Sequence, residues 1–71
     1  MSVREVCEAI KTTRKEEDFL MKIYEGNDSN FLISISSSMI SDDMLNRQVK
    51  SFCISNNEKQ KTIKHLTIIL V

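Results

Sequence analysis

The chain contains no proline and no tryptophan, one glycine, one histidine and two cysteines among its 71 residues. Each scarcity closes off a class of function. One glycine, Gly26, cannot build either a phosphate-cradling P-loop or the dinucleotide-binding fingerprint, which need several. Without proline, and with no low-complexity tract beyond Ser36-Ser37-Ser38, no segment reads as an interdomain linker, and no internal repeat is visible. The expectation is one small domain over residues 1–71. Two cysteines and one histidine fall short of the four clustered ligands of a structural zinc site. Nucleophilic catalysis needs a nucleophile, a base and an orienting group in one pocket. Cys7 lies on the apolar side of a helical pattern, which describes an inert thiol, and His65 lies in a strand pattern between Lys64 and Leu66. The expectation is a non-enzyme with no metal and no cofactor.

Charge of one sign is also missing: ten basic and ten acidic side chains cancel. Such a balance gives no strong non-specific attraction to nucleic acid or to an anionic membrane, and it does not suit a mimic of DNA. No stretch approaches the roughly 18 apolar residues of a membrane span. The first residues, MSVREVCEAIK, carry Arg4, Glu5, Glu8 and Lys11 where a signal peptide would carry an apolar run. The expected location is the cytoplasm, where Cys7 and Cys53 remain reduced and serve as small hydrophobes. Asn27-Asp28-Ser29 has the form of a glycosylation sequon and reads as turn chemistry.

What the chain does have is a modest stock of core residues, nine isoleucines and three phenylalanines, enough to exclude a disordered chain. Ser2-Val3-Arg4-Glu5 has the spacing of a capping box. Val3, Val6, Cys7 and Ile10 follow at i, i+3, i+4 and i+7, which predicts a helix from residue 3 to about 13. From residue 18 the period changes. Phe19, Met21 and Ile23 alternate with Leu20, Lys22 and Tyr24, and after the loop GNDSN, Phe31, Ile33 and Ile35 alternate with Leu32, Ser34 and Ser36. These are the two strands of a hairpin, with Phe31, Ile33 and Ile35 expected inward.

Ser41 followed by Asp42 and Asp43 opens a second helix, with its acids at the positive end. The expectation is a short helix over 42–47 and then a strand over 48–55, although Met44, Leu45, Val49 and Phe52 also fit one longer helix. NNEKQK turns the chain into a last strand, TIKHLTIILV. The expected fold is therefore α+β: an N-terminal helix packed on a mainly antiparallel sheet of three to four strands, in the order αββ-α-ββ, with αββαβ as the alternative.

The last strand carries the positive feature. Its final half is apolar on both faces, and a single helix covers only one face of a sheet. Leu20, Tyr24 and Leu32 fall on the nominally wet face of the hairpin. With Leu66, Ile68 and Leu70, or the residues alternating with them, they are the candidate interaction patch. The other expectation is that the second helix covers them. The functional expectation is a small protein that binds another protein, itself or a larger host target. Its isoleucine-, lysine-, asparagine- and serine-rich, proline-free composition suits a phage- or mobile-element-encoded inhibitor of a host machine, such as an anti-defence protein. The alternative is a homodimeric regulator or a nucleic-acid-associated accessory protein using Lys59, Lys61 and Lys64, with Lys11, Arg14 and Lys15 as a second basic group. Nucleic acid is the less favoured partner, because sheets that bind single strands need several aromatics and Tyr24 is the only tyrosine.

Overall fold

A computed structural model describes all 71 residues. The elements follow the order α1 (Val3–Arg14), β1 (Leu20–Glu25), β2 (Asn30–Ser36), α2 (Asp42–Leu45), β3 (Val49–Asn56) and β4 (Ile63–Leu70). The αββ-α-ββ arrangement is the one adopted, and residues 49–56 are strand. The β-branched and aromatic side chains of that segment prevail over its weaker helical spacing, because β4 supplies a partner along its whole length.

α1 begins where its cap dictates. The Ser2 side chain accepts from the Glu5 N–H at 3.2 Å, and the Glu5 carboxylate accepts from the Ser2 N–H at 3.0 Å. The first turn's free N–H groups are thereby partly satisfied. The helix stops at Lys15, whose backbone turns left-handed at φ 56°. Short β1 and β2 then pair as an antiparallel hairpin through a turn containing Gly26, whose φ of 79° suits glycine.

The sheet is mixed, in the order β2-β1-β4-β3. Both hairpin pairings, β1 with β2 and β3 with β4, are antiparallel, and the central pairing of β1 with β4 is parallel. The terminal strand is thus a central one. It is held at its end by the Val71 N–H donating to the Gln48 carbonyl at 3.1 Å, and Gly26 N–H donates to the Leu70 carbonyl at 3.2 Å. The opposite terminus is tied to the same place: Val49 N–H donates to the Met1 carbonyl and Val3 N–H to the Arg47 carbonyl.

The core lies between α1 and the two central strands. Val3, Val6, Cys7 and Ile10 from the helix meet Phe19, Met21, Ile23, Ile63, Leu66, Ile68 and Leu70. A helix about 10 Å across spans roughly two strands spaced about 4.8 Å apart, so it covers β1 and β4 and leaves the inner faces of the edge strands only partly covered. α2 is a single turn lying on the helix side of the sheet, where Arg4 and Asp42 approach to 3.6 Å. Ile40, Met44 and Leu45 pack there against the rim of the core. The other face of the sheet has no covering layer. α2 therefore does not supply the second cover that the last strand was expected to need.

Candidate interaction surface

The six residues expected to form one patch are divided between the two faces of the sheet. Leu66, Ile68 and Leu70 are wholly buried beneath α1, so they are core residues and not part of a free surface. The reason is parity: Met21 and Ile23 face α1, and their parallel partners Leu66 and Ile68 share that face. Leu20, Tyr24 and Leu32 belong to the uncovered side, Leu20 and Leu32 being exposed and Tyr24 half-buried. The residues alternating with the buried set, His65, Thr67 and Ile69, are half-buried on that same side.

One expected inward residue changes side. Ile23 pairs with Ile33, but the next residue, Tyr24, pairs with Phe31, which leaves Leu32 as the extra residue of a β-bulge. The bulge turns Phe31 outward. Its ring meets Tyr24 edge to face, with centroids 5.5 Å apart at 67°. Strict alternation cannot reveal such a slip, because the signal that creates it is the geometry of the partner strand.

Across the open face, Phe31, Tyr24, Ile69 and Ser51 form one row, and Ser34, Lys22, Thr67 and Cys53 form the next. The face is therefore apolar at one end, toward the Gly26 turn, and polar elsewhere, with Lys22 among hydroxyl side chains. On the α1 side of β2, the inward residues Ile33 and Ile35 line a small apolar groove of about 150 Å³ with Met39, Ile40, Ser41 and Met44. Strand β2 is thus apolar on the α1 side at Ile33 and Ile35 and on the open face at Phe31 and Leu32, and it also has a free edge. The exposed fractions are 57% for Phe31, 38% for Leu32, 37% for Ile33 and 74% for Met39.

The two free edges of the sheet differ. β3 carries Lys50 and is interrupted twice, between Val49 and Ser51 and between Ser55 and Asn56. A lysine and bulges are the usual devices that keep an edge from pairing with a neighbour. β2 has its one bulge near its start and then runs regularly from Ile33 to Ser36. No charged residue occurs anywhere from Ser29 to Ser41, the longest uncharged stretch of the chain. The C-terminal strand stands out in the sequence by its apolar run, and β2 by this absence of charge.

The hydroxyl cluster at the far end of β2 is structural. Asp18 accepts from the side chains of Ser36, Ser37 and Ser38 and from the Ser38 N–H. Phe19 N–H donates to Ser37 Oγ at 3.1 Å, which fastens the open end of the hairpin. The hydrogen bonds from Ser36 and Ser37, followed by those from Ser38, hold the Asp18 carboxyl below its ordinary pKa.

The two basic groups of the sequence approach each other through Arg14, at the end of the molecule opposite Phe31. Arg14 donates to Asn56 Oδ1 at 2.7 Å and to the Lys61 carbonyl at 3.2 Å, and it lies 3.7 Å from Glu16. A larger hollow of about 530 Å³ sits there, lined by Ser55 to Gln60 and by Lys64, with no apolar wall. Lys59 and Lys64 share it with Glu58. From Lys64 to the level of Tyr24, beside Ile69, is about 17 Å at the rise of a strand, so the lysines and the aromatic pair do not form one surface.

The thiols lie apart as well. Cys7 is buried, its Sγ 3.8 Å from Met21 Sδ, and burial pushes its thiol up from the ordinary pKa. Cys53 is exposed on the opposite side of the sheet. Both are free. No three His, Cys, Asp or Glu side chains converge on a point that could hold a metal ion, and no helix is long and apolar enough to cross a membrane. No protein family matches the chain, and neither does any curated protein or solved structure.

Proposed function

We propose that this protein works without catalysis by binding another polypeptide along β2, using the strand's free edge together with the apolar surface on either side of it. One observation carries the reading: the longest uncharged stretch of the chain is also its most exposed apolar one, and it includes an unprotected sheet edge. Strand addition supplies affinity through main-chain hydrogen bonds, while side-chain pockets supply specificity. Here the groove beside Ile33, Ile35 and Met39 is the pocket. Exposed long apolar edges are otherwise avoided, because they nucleate aggregation.

The narrower form of the proposal is an inhibitor of a host machine, encoded by a phage or mobile element. Its support is compositional, and the identity of the bound partner decides it. The nucleic-acid reading has less support. Phe31 and Tyr24 are a single aromatic pair on the open face with Lys22 beside them, and Lys59 and Lys64 lie at the far end of the molecule.

The test is a photo-crosslinking amino acid placed at Met39, compared with one at Glu8 on the exposed side of α1, in the cells that make the protein. Protein adducts at Met39 and none at Glu8 are expected. Equal yields at the two positions, or none at Met39, would refute the reading.

A further inference from the structure

We infer that the polypeptide which pairs with β2 is a second copy of this chain, joined edge to edge and antiparallel about a two-fold axis through Ser34. This rests on the reading above that β2 is the binding edge. The argument is one of self-complementarity. A two-fold interface sets each residue against its symmetry partner, so it tolerates charge poorly and demands matching faces. The stretch from Ser29 to Ser41 meets the first condition, having no charge of either sign. Register meets the second. Residues from Ile33 to Ser36 alternate regularly, and the bulge at Leu32 puts Phe31 out of phase with Ile35.

An axis through Ser34 is the choice that keeps the regular run paired with itself. Ser34 opposes Ser34 of the other copy, Ile33 opposes Ile35, and Leu32 opposes Ser36. Centring on Ile33 instead would set outward Phe31 against inward Ile35. With Ser34 at the centre, four isoleucines line up across the seam on the α1 side and close both apolar grooves. Both helices lie on the same face of a continuous eight-stranded sheet.

Size sets the strength. Even with the exposed parts of Leu32, Ile33, Met39 and Phe31 wholly covered, the contact is at most about 1,000 Å² in total, the lower limit for a specific interface, and Phe31 leans toward Tyr24 and away from the seam. The dimer is therefore reversible and follows concentration. A foreign strand would be expected to bring charge complementarity that selects it; β2 has no charge with which to select one.

Sedimentation of the purified chain over a dilution series tests this, with twice 8.2 kDa as the expected upper mass. Ser34→Lys and Ser34→Asp, each at an exposed position, are each expected to sediment as monomers. Mixed in equal amounts, they are expected to recover the dimer, which a folding defect could not do. Ser51→Lys, on the opposite edge, is expected to leave the dimer intact. In a sample mixing labelled and unlabelled chains, contacts between Ile33 of one copy and Ile35 of the other should appear by NMR. A wild-type chain that remains monomeric up to about 0.5 mM would overturn the inference, as would a dimer that survives Ser34→Lys or is lost in Ser51→Lys. If the chain is monomeric while the Met39 probe captures a different protein, the partner assignment falls and the broader reading stands. If the probe captures nothing, both fall.

Discussion

Ile68 and Phe31 are both large apolar strand residues, and the structure gives them opposite parts. Ile68 is fully enclosed between α1 and the central strands, whereas more than half of Phe31 faces water. Truncating a buried isoleucine costs about 2–5 kcal/mol, and burying an unpaired carboxylate costs more. A chain of this size has roughly 4–11 kcal/mol of total stability. Ile68→Asp is therefore expected to leave the protein unfolded at 25 °C, and Ile68→Ala folded but weakened, as read by circular dichroism and urea titration. Phe31→Ser removes the contact with Tyr24, worth about 1 kcal/mol. It is expected to leave the fold intact while reducing crosslinking at Met39 and self-association.

The acid side of the stability curve also belongs to single residues. Asp18 and Glu5 both have carboxyl pKa values held down in the folded state, Asp18 chiefly by the Ser36 hydroxyl and Glu5 chiefly by the Ser2 N–H. A depressed folded-state value means the group binds protons more readily when the chain is unfolded. Its contribution is thus present above the ordinary carboxylate range and lost as pH falls through the depressed value. Asp18→Asn is expected to make the fall in melting temperature on acidification shallower than in the wild type. A fall of the same steepness in both would show that the serine cluster does not act through the Asp18 charge.

At the scale of elements, α1 is the piece whose loss the fold cannot absorb, since it supplies the whole second layer over β1 and β4. Its start rests on Ser2 and Glu5. Ser2→Ala is expected to cost about 1 kcal/mol, seen as a melting temperature lower by roughly 4–8 °C. Val3, Val6, Cys7 and Ile10 announce this helix in the sequence because helical spacing is local, and the expected end near residue 13 agrees with Arg14. The hairpin is legible for the same reason, through alternation on each side of a glycine- and asparagine-containing turn. Strand β3 is not legible with the same force. Val49 and Phe52 satisfy both periods, and the choice falls to the pairing with β4. The outward turn of Phe31 is not legible at all, since a bulge is a property of two strands together.

At the scale of the whole molecule, the sheet separates the two thiols and offers a clean probe of global opening. Cys53 is exposed and Cys7 is enclosed with a raised thiol pKa. Thiol labelling of the native protein is expected in two phases: Cys53 at once, and Cys7 only as fast as the core opens. Equal rates would show that α1 detaches without global unfolding. The same layering explains why one apolar strand is silent and another is not. A chain of 71 residues affords one long helix, and one helix covers two of four strands. The strands that happen to be central are satisfied, and the edges keep what is left over.

Periodicity and capping are local, so the residues alone are enough for the capped helix, the hairpin, an α+β chain and a last strand that is apolar on both faces, and they leave 49–56 open between helix and strand. The central place of the last strand, beside β1 and β3 with Leu66, Ile68 and Leu70 turned toward α1, follows from the pairing of the two hairpins, as does the place of uncharged β2 at an edge. Strand order depends on which hairpin pairs with which, a long-range choice made by the summed burial of all the apolar faces, and no single stretch of the chain encodes it.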